Sequence, residues 1–259
     1  MANGYILWEG ASLLDGAPIV VIATGFAQKS SNRKTGGMVQ TYILRRDIDP
    51  VSAVQSGDDA SICGDCPHRG TSLNNKNSGR TCYVNVGQGA LAVYRAYKRN
   101  AYPLWDGYGV NGRMVRLGTY GDPAAAPAHV WEAITRDASG HTGYTHQWRS
   151  PAFSYLKSLC MASADSPADA VLAQSMGWRT FRVGMWGEVE RDRAGLNESL
   201  CPASEQAGKK LTCETCLACD GAGTAKRGSI FIPAHGGTAV MANVRKRGLG
   251  IPVTVEMAA

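Results

Sequence analysis

The sequence lacks any run of eighteen apolar residues, the length at which a hydrophobic segment becomes a candidate membrane helix. Residues 6–26 are apolar in part, but Glu9, Asp15 and Pro18 interrupt them. This stretch therefore has neither the continuous core of a membrane span nor that of a signal peptide. Without an export signal we expect a cytoplasmic protein with no membrane partner. In such a reducing compartment, cysteines serve as thiolate ligands and seldom form disulfides.

A recognised nucleic-acid-binding motif is also missing, although the formal net charge is +6. Part of this charge lies in short basic clusters at residues 33–34, 45–46, 95–99, 209–210, 226–227 and 245–247. Such clusters leave two interpretations open. They are either a solvated surface or a contact for an anionic partner, nucleic acid included.

Eight cysteines are present, and four of them fall in one short loop-like segment, here called the cysteine nest: Cys201, Cys213, Cys216 and Cys219. Gaps of two residues between the last three turn the backbone so that three sulfurs converge on one centre, and Cys201 can complete the set. Four thiolates suit tetrahedral zinc and also a cubane iron–sulfur cluster, so the spacing predicts a metal without choosing it. The alternative interpretation is a disulfide staple or a set of packing cysteines.

Three further cysteines form what we call the first cysteine group: Cys63, Cys66 and Cys82. His68 is the nearest candidate for a fourth ligand, and the alternative is that it only caps the loop. If His68 is not a ligand, the group is completed from elsewhere or keeps an open coordination position, as catalytic metal sites do. Cys160 falls in a predicted buried strand and is expected to be a small apolar core residue.

Short apolar strands alternate with amphipathic helices along the chain, which predicts parallel βα units. The predicted strands are 18–23, 39–44, 113–117, 141–145, 159–162, 178–183, 229–233 and 252–256. The predicted helices are 85–100, 124–138, 151–157, 166–176 and 239–247. The fold class that follows is α/β, a partial (β/α) barrel with parallel strands plus a cysteine-rich metal-binding insertion near the C-terminus.

With 259 residues the chain is long enough for one large domain, and we predict a single domain over residues 1–259. Within it, residues 1–50 hold the N-terminal strands. The (β/α) core comprises residues 51–200 and 229–259, and the cysteine-rich insertion covers residues 201–228.

Polar residues follow the ends of the predicted parallel strands: Asp122, His146, Ser163 with Asp165, and His235. Each has an ordinary explanation as a turn residue, a helix start or a hydrogen-bonded histidine. In parallel α/β sheets, however, the loops at the carboxyl ends of the strands converge on one mouth. Together these residues predict a functional pocket there.

In element order the chain resembles the radical S-adenosylmethionine (SAM) superfamily, with the first cysteine group after an early strand and Gly121-Asp122-Pro123 after the next. The resemblance implies a partial barrel and an iron–sulfur cluster on the first cysteine group, whose fourth iron binds SAM. It further implies cofactor binding by Gly121, Asp122 and Ser163, and an auxiliary cluster in the nest. The sequence departs from the superfamily in lacking Cys-x3-Cys-x2-Cys and in having Asp122 where glutamate is usual.

Three functions remain open from the sequence. The first is an iron–sulfur enzyme with one or two clusters, in which Asp122, His146 and Asp165 are the catalytic candidates. The sequence does not identify its substrate, and a molecule related to nucleic acid is one option. The second is a zinc-binding protein associated with nucleic acid. The cysteine blocks and residues 143–148 resemble proteins of phages and mobile elements, which implies a host cytoplasm. The third is a metal-dependent hydrolase using Asp122, His146, Asp165 and His235.

Overall fold

A computed structural model describes residues 2–29, 34–185, 196–223 and 228–246. The strands among these residues are β1 Gly4–Ala11, β2 Pro18–Thr24, β3 Val39–Arg45, β4 Thr71–Leu73, β5 Lys76–Ser78, β6 Met114–Tyr120, β7 Gly140–Thr142, β8 Tyr144–Thr145, β9 Met161–Ala164, β10 Thr180–Gly184, β11 Glu198–Leu200 and β12 Ser229–Pro233.

The α-helices of the described residues are α1 Pro50–Ser56, α2 Ala60–Cys63, α3 Leu91–Lys98, α4 Ala128–Thr135, α5 Pro167–Ser175, α6 Cys213–Cys216 and α7 Thr238–Lys246. Short 3-10 helices lie at Pro67–Arg69, Pro123–Ala125, Gln147–Arg149, Pro151–Ser158, Glu205–Ala207 and Gly221–Gly223, and a π-helical turn lies at Val86–Ala90. None of the described helices has the length and apolar character needed to cross a membrane.

Ten of the strands form two five-stranded sheets, in the orders β1-β2-β3-β6-β7 and β11-β12-β10-β9-β8. In the first sheet β2 is antiparallel to both neighbours, whereas β3, β6 and β7 run parallel. Every pair in the second sheet is parallel. The prediction of an α/β fold with parallel strands is therefore confirmed. The described strands do not form a closed barrel.

Gly143 marks the place where the two sheets meet, because it alone separates β7 of the first sheet from β8 of the second. Its amide donates to the Cys219 carbonyl at 3.2 Å, and its carbonyl accepts from the Met161 amide at 2.9 Å. A Cβ at this position would lie 2.7 Å from the Cys160 sulfur. The strand predicted at 141–145 is thus present but broken at a glycine that permits close packing.

Several predicted bounds shift for local reasons. The helix predicted at 124–138 is split, because Pro127 favours an extended Ala126 before it, and α4 starts only after this proline. The predicted strand 159–162 begins later, so Ser163 lies within β9 and Cys160 precedes it. The sequence interpretation missed β1, the β4–β5 hairpin, β11 and the helices α1 and α2. The strand predicted at 252–256 lies outside the described residues.

The main core packs strands of the first sheet against residues of α2, α3 and α4, with Trp131 of α4 fully buried and its indole nitrogen donating to the Pro123 carbonyl at 2.8 Å. A smaller core lies on the second sheet and consists of Met161, Cys201, Cys219, Ile230 and Ile232. Two cysteines of the nest are therefore core residues of that sheet. This packing holds the nest against the parallel strands.

Candidate functional site

A cavity of about 540 Å³ is lined by residues from the ends of the parallel strands and from the loops that follow them. Seven of the eight cysteines line it: Cys63, Cys66, Cys82, Cys201, Cys213, Cys216 and Cys219. The eighth, Cys160, is fully buried in the main core, as expected from the sequence. The fold therefore brings the first cysteine group and the cysteine nest to one shared space.

The loop of the first cysteine group is held by its own backbone and by one arginine. Cys63 ends α2, and the Cys82 amide donates to the His68 carbonyl at 3.0 Å. Arg69 ties the loop together, since it forms an ion pair with Asp59 at 2.6 Å and donates to two backbone carbonyls. Burial raises the pKa of the Cys63 thiol well above its ordinary value, and Cys66 and Asp59 raise it further. A bound metal would be needed to hold such thiols as thiolates at neutral pH.

Each part of the cysteine nest is attached to a different element of the fold. The Cys201 amide donates to the Phe231 carbonyl of β12 at 2.7 Å, and the Cys213 amide donates to the Lys34 carbonyl at 2.7 Å. Cys219 is bound through its carbonyl to Gly143 at the junction of the sheets. Burial, with a further contribution from the other three thiols, raises the pKa of Cys219 to about 12. The four thiols thus lie close enough to influence one another.

A compact group of potential metal ligands lies beside the first cysteine group. Among the described residues, the one set of three ligand atoms within 4.8 Å of one another belongs to His68, His146 and Asp165. The Asp165 oxygens lie 2.8 Å from His68 Nε2 and 3.3 Å from His146 Nε2. The Cys66 sulfur lies 4.0 Å from the same nitrogen of His146.

Hydrogen bonds orient this group. Thr81 Oγ1 lies 2.8 Å from His68 Nδ1, which directs His68 Nε2 towards Asp165. Burial alone would raise the pKa of Asp165, but the hydrogen bonds with His146 and His68 outweigh it and lower that pKa below its ordinary value. Asp165 is therefore an anion held between two imidazoles. His68, a candidate fourth ligand for the first cysteine group from the sequence, faces this carboxylate.

Asp122 lines the cavity and also joins three segments of the chain. Its oxygens accept from the Ala124 amide at 3.0 Å and from the His146 amide at 2.8 Å. Its own amide donates to the Ile62 carbonyl, next to Cys63, at 2.6 Å. Burial raises the pKa of the Asp122 carboxyl, and the hydrogen bonds from the two amides oppose that rise. Asp122 therefore sets the relative positions of the first cysteine group and His146.

Gly121 supports this turn, and replacing it with alanine is expected to disturb both fold and site. Its φ is +88°, and an added Cβ would lie 2.7 Å from the Ile43 Cβ. Because alanine rarely adopts this conformation and Ile43 is buried in β3, we expect Gly121→Ala to destabilise the protein by more than about 1 kcal/mol. Urea denaturation measures this change. Gly16→Ala is the control for backbone strain alone, because nothing lies within 4 Å of its added Cβ at a φ of +82°. Equal losses for the two variants would contradict a role for the contact with Ile43.

The remaining predicted residues also reach the cavity. Ser163 lines it from β9, and its carbonyl accepts from the Trp148 indole at 2.8 Å. His235 follows β12, and its Nε2 lies 2.8 Å from Lys34 Nζ. Sequence reasoning missed Arg116, which is buried in the wall between the two groups. The available signal was a charged residue inside the apolar strand at 113–117.

Comparison of the chain with known protein families, with curated proteins and with solved structures finds no match in any of the three.

Proposed function

We propose that this chain is an iron–sulfur enzyme of the radical SAM kind, with a partial (β/α) barrel and a cysteine-rich metal-binding insertion. The observation that carries the proposal is the shared cavity, which seven of the eight cysteines line. Cysteines that served only as core residues would not be expected to line one cavity together. The buried Cys160 behaves as such a packing cysteine and lies apart.

The order of the strands supports the same proposal. In each sheet, the parallel strands other than β11 lie side by side in the order in which they occur along the chain. This order is β3, β6 and β7 in the first sheet and β8, β9, β10 and β12 in the second. The first cysteine group follows β3, and the turn of Gly121 and Asp122 follows β6, which is the order that the superfamily resemblance implies. The nest then lies between β10 and β12, preceded by β11.

The number of thiols favours clusters over single zinc ions. Two closed zinc sites would need eight good ligands, and the two groups together offer seven cysteines. Three thiols in one group and four in the other suit one cluster with an open iron and one that is fully ligated.

The residues around the first cysteine group fit the roles that this function requires. When bound, a cluster with SAM supplies one-electron radical chemistry. Gly121, Asp122 and Ser163 are the candidates for holding the cofactor, and the Asp122 oxygens retain acceptor capacity beyond their two backbone partners. His146 and Asp165 are the candidates for orienting the substrate.

The experiment that tests the proposal is metal analysis of protein expressed with iron and purified without oxygen. We expect brown protein that contains iron and acid-labile sulfide, with thiolate-to-iron absorption. Colourless protein with stoichiometric zinc would contradict the proposal. If that protein also bound nucleic acid in a salt-dependent manner, the zinc-binding alternative would replace it.

A second candidate function is a metal-dependent hydrolase, and the compact group of His68, His146 and Asp165 favours it. Two imidazoles and one carboxylate bind divalent transition metals and leave coordination positions open for water. Asp122 and His235, also considered for such an enzyme, line the same cavity outside this group. One divalent ion per chain, together with seven cysteines that all react freely with a thiol reagent, would favour the hydrolase.

A further inference from the structure

Two arginines are buried among the described residues, and their surroundings differ. Arg182 forms an ion pair with Glu198 at 2.7 Å, and both side chains are almost fully buried. Arg116 is only 8% exposed, yet within the described part of the chain it forms no ion pair. A buried ion without a counter-charge is costly, so the lack of a carboxylate at Arg116 requires an explanation.

The surroundings of Arg116 connect the two groups of cysteines. Its Nη2 donates to the Tyr83 hydroxyl at 3.0 Å, and Tyr83 follows Cys82 of the first cysteine group. Its guanidinium carbon lies 5.5 Å from the centre of the Tyr144 ring, and Tyr144 packs against the smaller core that contains Cys219 of the nest. Arg116 therefore lies between the two groups.

The Arg116 guanidinium has more hydrogen-bond donors than its described contacts use. It offers five N–H donors, and among the described residues one hydrogen bond, that to Tyr83, uses them. The Arg116 nitrogens that have no hydrogen-bond partner are not fully buried, so they are exposed to open space. Because Arg116 is a wall residue of the cavity, that open space is the cavity itself.

The carboxylates that line the cavity do not neutralise this charge, because each has other partners. Asp59 pairs with Arg69, Asp165 lies between His68 and His146, and Asp122 accepts from two backbone amides. The cavity thus presents a buried guanidinium with free donors and no spare carboxylate among its described residues. The other groups that favour its charge are the hydroxyls of Tyr83 and Tyr144 and the thiols of Cys213 and Cys219 in the nest.

We propose that Arg116 binds an oxyanion, a carboxylate or phosphate group of the substrate, between the first cysteine group and the nest. The planar guanidinium matches both groups with two parallel hydrogen bonds. That this anion belongs to the substrate rests on the function proposed above. The binding site itself rests on Arg116 and its neighbours alone.

The test is equilibrium dialysis of anaerobically purified protein against inorganic phosphate and, separately, malonate. We expect one of these probes to bind, which identifies the group as phosphate or carboxylate. Arg116→Met is expected to weaken that binding at least about tenfold, and Tyr83→Phe is expected to weaken it less. Arg136→Met, on a side chain that is 65% exposed, is the matched control and should bind like the parent protein.

The same samples are analysed for iron, which separates this inference from the proposed function. Failure of the parent to bind either anion, or equal binding by Arg116→Met, would overturn the inference. Loss of iron from Arg116→Met would also overturn it, because Arg116 would then be a counter-ion for the metal-bearing thiolates. A parent without iron that still binds an anion through Arg116 would leave the site standing while the iron–sulfur function fails.

Discussion

Replacing Cys63 with serine is expected to abolish reductant-dependent consumption of SAM and to remove roughly half of the cluster iron. Cys63 lies at the end of α2, next to the Ile62 carbonyl that binds the Asp122 amide, so it occupies a fixed position in the cavity wall. A serine hydroxyl is a much poorer ligand for iron than a thiolate. The nest keeps its own four cysteines in this variant and should retain its share of the iron.

The measurements are iron and acid-labile sulfide per chain, together with SAM consumption in the presence of dithionite. Cys160→Ala is the matched control, since it removes a thiol from the core without touching the cavity. It should keep all of the iron and the full rate. A Cys63→Ser protein with unchanged iron, or a Cys160→Ala protein that loses as much, would be inconsistent with a cluster on the first cysteine group.

Replacing Glu198 with glutamine is expected to cost about 3 kcal/mol of unfolding free energy. Glu198 accepts from Arg182 through both oxygens, and neither side chain has appreciable contact with water. Removing the carboxylate charge leaves the Arg182 guanidinium buried without a counter-ion, above the ring of Phe231. Removal of one partner of a buried ion pair is costly for this reason, whatever the net contribution of the intact pair.

The same variant is expected to weaken metal retention in the nest. Glu198 lies on β11, three residues before Cys201, and its bond to Arg182 of β10 ties that edge strand across β12. Urea denaturation followed by tryptophan fluorescence measures the stability, and iron analysis measures the metal. Glu132→Gln on the exposed face of α4 should change stability by no more than about 0.5 kcal/mol. An unchanged urea midpoint for Glu198→Gln would show that the ion pair does not hold this edge.

Several local features of the chain could be predicted because short-range chemistry determines them. The runs of β-branched residues in β2, β3 and β12 form strands where expected. Ser166, the first residue of the helix predicted at 166–176, caps α5, with its hydroxyl accepting from the Asp169 amide at 3.1 Å. By contrast, β1 was missed: Glu9 and Gly10 disturb its pattern, and its pairing with β2 shifts register between Ile6 and Trp8.

Long-range placement accounts for the site contacts that sequence analysis missed. His68 meets Asp165 although 97 positions separate them, and Arg116 meets Tyr83 across 33 positions. Neither contact is encoded by spacing along the chain, because both depend on which strand ends become neighbours. In the sequence, Arg116 was noticeable only as a charged residue in an apolar strand. That signal does not tell whether the arginine lines a cavity or forms a buried ion pair, as Arg182 does.

The sequence by itself determined the two cysteine sets, the alternation of strands and helices, and the polar residues at the strand ends. These depend on spacing within one turn, one strand or one helix, where backbone geometry leaves few choices. The tertiary structure decided that both sets line one cavity, that His68 joins His146 and Asp165, and that Arg116 lies between the sets. Those relations follow from the order of strands in the two sheets, which brings together residues far apart along the chain.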